Sequence, residues 1–142
     1  MGIAALIAWV VTALGGFYLL GTWIAKGGKG GKGGTGGRAV SRLPVPVLFG
    51  HFLLAAAGLV VWIVYLLTDR DVLAWVAFGL LVPVALLGFT MLARWLPVRR
   101  TATGPAVPPE RHFPVPVVVL HGLLAVATVV LVLLTALGVA GD

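Results

Sequence analysis

Two histidines stand inside apolar runs at matching places. The stretch PVPVLFGHFLLAA starts at Pro44 and PVPVVVLHGLLAV starts at Pro114, so His51 and His121 each lie seven residues past the first proline. A neutral imidazole offers one N–H donor and one lone pair, and it suits proton relay, hydrogen bonding or metal ligation. Two imidazoles at equal depth, facing each other across a helix bundle, suit axial ligation of one b-type haem, because haem iron takes imidazole as its axial ligand. A zinc site is a poorer match, since no third carboxylate or thiolate joins the pair. The plainer role is a hydrogen bond between helices, about 0.6 kcal/mol on average in membranes. A proton relay, or binding of a small molecule or quinone, is a further use of the same residues.

The neighbours of the two histidines fit a flat ligand. A porphyrin needs small side chains beside its ligands. Ala55 and Ala125 stand four residues on, on the same helix face, and Gly58 and Thr128 stand seven on. Thr128, or Thr90, is the expected acceptor for the second ring N–H of a ligand, fixing its tautomer. Arg42, Arg99, Arg100 and Arg111 are the expected propionate contacts, with Arg94 able to snorkel to the same interface. His112 reads as a solvated interfacial residue.

Such a pair must be positioned by long apolar elements. Of the 142 residues 61% are hydrophobic and 10% charged, against roughly 45–50% and about 25% for soluble domains. Four apolar runs account for the excess: about 3–25, 44–67, 72–96 and 113–139. Each is near or above the ~20 residues that cross a bilayer as a helix. Backbone in lipid must satisfy its own hydrogen bonds, and the alternation of a barrel strand is absent, so the runs read as helices. The first run has no preceding positive charge and is not expected to be a signal peptide. With no cysteine, disulfides, thiolate metal sites and c-type haem attachment are excluded.

Lys26, Lys29, Lys32, Arg38 and Arg42 fall between runs one and two, and Arg99, Arg100 and Arg111 fall between runs three and four. Cations in short loops mark the cytoplasmic side, so loops 26–43 and 97–112 are expected there and both termini outside. Topology therefore explains the net charge of +6, and no nucleic-acid partner is implied. The Gly-Lys tract within 26–43 reads as a flexible basic linker. It lacks the Ser or Thr, and the strand, that a phosphate loop requires. No catalytic constellation is visible: Asp69, Asp71, Glu110 and Asp142 all lie in loops or at the terminus. Pro83 should kink the third helix.

The chain also repeats itself. Leu43–Leu67 over Phe113–Leu137, at an offset of 70, gives 11 identities in 25. GGFYLLGTW (Gly15–Trp23) lies over LGFTMLARW (Leu87–Trp95) at an offset of 72. The expected fold is all-α: one transmembrane domain over 1–142, an up-down-up-down four-helix bundle of two tandem parallel helix-pair repeats, about 1–70 and 71–142.

The segments GGFYLLGTW, FGHFLLAAAGLVVWIVYLLTDR, WVAFGLLVPVALLGFTMLARW and FPVPVVVLHGLL together resemble small uncharacterised four-helix membrane proteins of actinobacterial type. That resemblance implies architecture and a bacterial cytoplasmic membrane. More loosely, the histidine pair is similar to that of membrane-anchor b-type cytochromes, a likeness resting on His51 and His121 alone. Three functions follow. One is a haem-b protein for electron transfer or haem sensing. Another is a non-catalytic accessory subunit assembling with other membrane proteins or with itself. The third is a small carrier or channel, for which the polar residues are sparse.

Overall fold

The computed structural model describes residues 1–28, 40–101 and 107–139. Most of the Gly/Lys linker, including Lys29, Lys32 and Arg38, lies outside the described residues. Four long helices make up the described chain: α1 (Gly2–Ala25), α2 (Val45–Thr68), α3 (Asp71–Thr101) and α4 (Val115–Ala136). A short 3₁₀ turn, Pro109–His112, precedes α4. All four helices are long and apolar enough to cross a membrane. The form is that of a small multi-pass membrane protein.

Helix starts and stops follow local chemistry. Pro44 and Pro114 cap α2 and α4 in extended conformation, with near-identical φ of −64° and −65° and a shared ψ of 126°. Pro46 and Pro116 sit in the first turns, where a missing N–H costs nothing. Asp69 ends α2 in the left-handed region at φ 52°, which a short polar side chain tolerates. Asp71 falls in the first turn of α3, where a carboxylate meets the positive end of the helix dipole. α3 runs unbroken through Pro83 and Pro97 to Thr101, past the end near 96 expected from hydropathy. The helical threonines Thr12, Thr22, Thr68, Thr90, Thr101, Thr128 and Thr135 each donate to the carbonyl four residues back. Their hydroxyls are thereby satisfied within their own helix.

Packing is inverted relative to a water-soluble bundle. Ile3, Ile7, Leu14, Leu53, Leu86 and Leu123 face outward, while Ala5, Ala74 and Ala77 are buried. Lipid accepts the large apolar side chains, and small residues let the helices approach. α2 packs most extensively on α3, and α1 on α4; α3 meets α4, and α1 touches α2 only lightly. The backbones of α2 and α4, like those of α1 and α3, stay apart. Two core clusters form. One joins Ala5, Trp9, Trp62, Ala74, Ala77, Leu81 and Val132; the other joins Trp23, Leu43 and Leu48. Along α1 the layer between Trp9 and Trp23 belongs to neither, and the histidines contact α1 and α3 there.

Candidate functional site: a facing histidine pair

His51 reaches from α2 to α3, and His121 from α4 to α1. The Nδ1–H of His51 donates to the Val84 carbonyl at 2.8 Å, and that of His121 to the Thr12 carbonyl at 2.9 Å. A carbonyl only accepts, so each neutral ring carries its proton on Nδ1 and keeps its lone pair on Nε2. Each helix carbonyl has a second lone pair beyond its own helical bond, and that is what the ring N–H uses. The two ring centres are 6.3 Å apart, with planes inclined at 58°. Each ring belongs to one of the two closely packed helix pairs, α2 with α3 and α4 with α1. The space between the rings therefore falls between the two pairs.

Glycines make room for both rings. A Cβ at Gly16 would stand 3.2 Å from Cε1 of His121, and one at Gly88 would stand 3.3 Å from Cε1 of His51. The acceptor of the ring N–H is not Thr128 or Thr90, as the sequence suggested. Thr128 is buried and donates to Leu124, and Thr90 is exposed and donates to Leu86. Backbone carbonyls on the adjacent helices take that role.

The expected pocket residues separate. Ala55 and Ala125 are half-buried one turn from the histidines. Gly58 is buried, and its open side is filled by Trp9, whose Cζ2 would lie 2.9 Å from an added Cβ. Leu80 on α3 flanks the same spot. Trp9 thus fills the space about two turns along α2 from His51. On the α1/α2 side, Phe17 and Phe52 meet edge to face at 5.4 Å. His121 also lines an outward groove of about 280 Å³ between α1 and α4, with Gly15, Tyr18 and Leu124 among its walls.

The four expected propionate arginines share the other end of the bundle, here called the basic end. Arg42, Arg99, Arg100 and Arg111 are all exposed. The Arg99 guanidinium sits 5.8 Å from the Trp95 ring centre. The Arg42 carbonyl accepts from Arg94 Nη1 at 3.4 Å. His112 is exposed, with Nδ1 3.2 Å from the Pro109 carbonyl.

One residue central to this end read as a loop acid in the sequence. Glu110 is fully buried. Its carboxylate accepts the Ser41 hydroxyl at 3.0 Å and the Arg42 N–H at 2.6 Å, and its backbone carbonyl accepts Trp95 Nε1–H at 3.0 Å. Ser41 Oγ in turn accepts Trp23 Nε1–H at 2.8 Å and the Leu43 N–H at 3.1 Å. Indole N–H is a donor only, so the proton directions are fixed: Trp23 to Ser41, Ser41 to Glu110. This clasp draws together α1, the entry to α2, α3 and the turn before α4. Tryptophans near the ends of membrane helices commonly anchor at the headgroups. Trp23, Trp62 and Trp95 instead turn inward and spend their N–H groups on internal acceptors.

No family model, curated protein or solved structure matches the chain.

Proposed function

We propose that this protein holds one haem b between His51 and His121, for electron transfer or haem sensing in a bacterial cytoplasmic membrane. The observation that carries the reading is the close pair of imidazoles, with ring centres 6.3 Å apart and both Nδ1 groups anchored. A metal–imidazole bond is about 2.0–2.1 Å, and a ring centre lies a little over half that distance behind its nitrogen, so one shared metal sets ring centres about 6 Å apart. The donor set fits iron porphyrin, and the Nδ1–H to carbonyl bonds are the outer contacts that orient ligating imidazoles. Bound haem supplies one-electron chemistry at its iron. The chain's own residues do the rest. His51 and His121 would hold the iron, Thr12 and Val84 fix the rings through their carbonyls, and Ala55 and Ala125 keep the flanks small. Arg42, Arg99, Arg100 and Arg111 give the basic end its positive charge, about 10 Å along α2 from His51. In this reading that end is cytoplasmic, and it is where an anionic redox partner docks.

The same proposal takes the architecture as two tandem parallel helix pairs running up-down-up-down. Buried positions support it, because they coincide at the offsets of 72 and 70: Ala5 with Ala77, Trp9 with Leu81, Trp23 with Trp95, Trp62 with Val132. The resemblance to membrane-anchor b-type cytochromes is part of the proposal on the same two histidines.

The test is an absorption spectrum of detergent-purified protein, oxidised and dithionite-reduced, after expression with ample haem. A Soret band lost in both His51→Ala and His121→Ala is the expected result. A wild type without the band, or a band surviving both substitutions, overturns the reading.

A second reading has its own observation. Both ring N–H groups already bond a neighbouring helix, so each histidine ties a helix pair with no cofactor. In that case the protein is a non-catalytic accessory subunit, docking its apolar faces on other membrane proteins or on itself. It predicts lower thermal stability for His51→Ala and His121→Ala alongside a wild type that retains no haem.

A further inference from the structure

We infer that Gly16 and Gly88 are positioning residues that lock both imidazoles as Nδ1–H tautomers and so turn two lone pairs toward one shared ligand. The inference rests on reading His51 and His121 as a ligand pair; the tautomer lock can be measured without any ligand.

A helical side chain lies over the turn N-terminal to its own Cα, so the residue at i+4 shields the carbonyl of residue i. Thr12 is followed four residues later by Gly16, and Val84 by Gly88. With no Cβ there, the second lone pair of each carbonyl is open to a side chain from the next helix. His121 and His51 take these two openings. The rings lie directly on the glycines: a Cβ at Gly16 would be 3.2 Å from Cε1 and 3.7 Å from Nδ1 of His121, and one at Gly88 would be 3.3 Å and 3.6 Å from the same atoms of His51. An alanine at either position requires the ring to give by a few tenths of an ångström while its Nδ1–H is held by the carbonyl beside it.

Chemistry gives the lock its consequence. A neutral imidazole has one donor and one acceptor nitrogen. Once both donors are held by carbonyls, neither Nε2 can donate to the other. The two Nε2 lone pairs, on rings whose centres are 6.3 Å apart, are then jointly matched to a metal or to a bridging N–H or O–H donor. Had one ring taken the opposite tautomer, the pair could close on itself through an Nε2–H to Nε2 bond and leave no vacancy for a ligand. Both acceptor–glycine pairs lie 72 residues apart, so each half of the chain carries one.

The structure also supplies controls. A Cβ at Gly21 on α1 or Gly79 on α3 meets nothing within 4 Å. Gly21→Ala and Gly79→Ala therefore change helix propensity on the same helices without touching a ring. Protein labelled with ¹⁵N-histidine, purified in detergent without haem, gives the tautomer of each ring from long-range ¹H–¹⁵N spectra. Wild type is expected to show both rings as Nδ1–H. Gly16→Ala should shift His121 alone and Gly88→Ala His51 alone, and the two controls should shift neither. In haem-supplied protein, Gly16→Ala and Gly88→Ala should each weaken haem retention about 10–100-fold, the usual size for outer contacts of metal ligands. Wild-type rings protonated on Nε2, or unchanged tautomers in folded Gly16→Ala and Gly88→Ala, overturn the inference. A wild type with both rings locked and no Soret band leaves the lock standing and overturns the haem reading instead.

Discussion

The half of the molecule built on α1 and α2 and the half built on α3 and α4 share some contacts and differ in others. In each, a proline starts the second helix at the same backbone angles, and a tryptophan near the end of the first helix donates its N–H to the segment before the second. In each, the histidine of the second helix turns away from its own half: His51 bonds α3, and His121 bonds α1. The halves part company at three places. Trp23 bonds the Ser41 hydroxyl, whereas Trp95 bonds the Glu110 backbone. Only the second half contributes a buried acid, and that acid reaches across to Ser41 and Arg42 of the first. Phe17 stacks on Phe52, while the corresponding residues are Phe89, which is exposed, and Gly122, where an added Cβ meets nothing. The matched parts give each half its shape. The crossed histidine bonds and the single acid make two similar halves into one unit.

The largest effect expected from disturbing this comparison belongs to the unmatched acid. Glu110→Ala strands the Ser41 hydroxyl and the Arg42 N–H, at about 1–3 kcal/mol for each buried unpaired group. Thermal unfolding in detergent should show a large drop, with Glu110→Gln intermediate because one amide oxygen still accepts. A Glu110→Ala midpoint equal to wild type would remove the clasp from the account. The next effect should be shared by the halves. Trp23→Phe and Trp95→Phe each delete one N–H donor and should cost about 0.5–1.5 kcal/mol apiece. A wide gap between the two would break the equivalence of the fastenings. The smallest effects should be unequal. Phe52→Leu keeps most of its apolar bulk and loses at most an edge-to-face contact worth about 0.5–1.5 kcal/mol, while Gly122→Ala should leave the midpoint unchanged or slightly raised. Equal losses would mean that the α1/α2 and α3/α4 seams are closed alike.

The membrane spans were legible because hydropathy is local: every residue of Ile3–Ala25 or Phe113–Val139 votes for lipid on its own. The histidine pair was legible because its signal is a repeated position, and the two ring centres lie 6.3 Å apart. Their hydrogen-bond partners were not. The polar side chains on offer are Thr90 and Thr128, but a helix buries its threonine hydroxyls in its own carbonyls, and the acceptors are backbone atoms that every residue has. The readable trace was an absence of side chain, the glycine four residues after each acceptor. Glu110 escaped notice for a related reason. In sequence it is an acid in an arginine-rich loop, and its burial depends on Ser41 and Trp95 converging from other parts of the chain. Gly58 showed the opposite error. A missing side chain suggested room for a ligand, and Trp9 fills it.

The clasp has a consequence for how the chain is made. Glu110 completes the bonding of Ser41 and Arg42 from 68 residues beyond Arg42. During synthesis, α1, α2 and α3 must therefore all be laid down while the Arg42 N–H and the Ser41 hydroxyl still rely on water or headgroups. The first helix pair gains its last bonds only when the turn before α4 arrives, and α4 must still follow before the four helices can pack together.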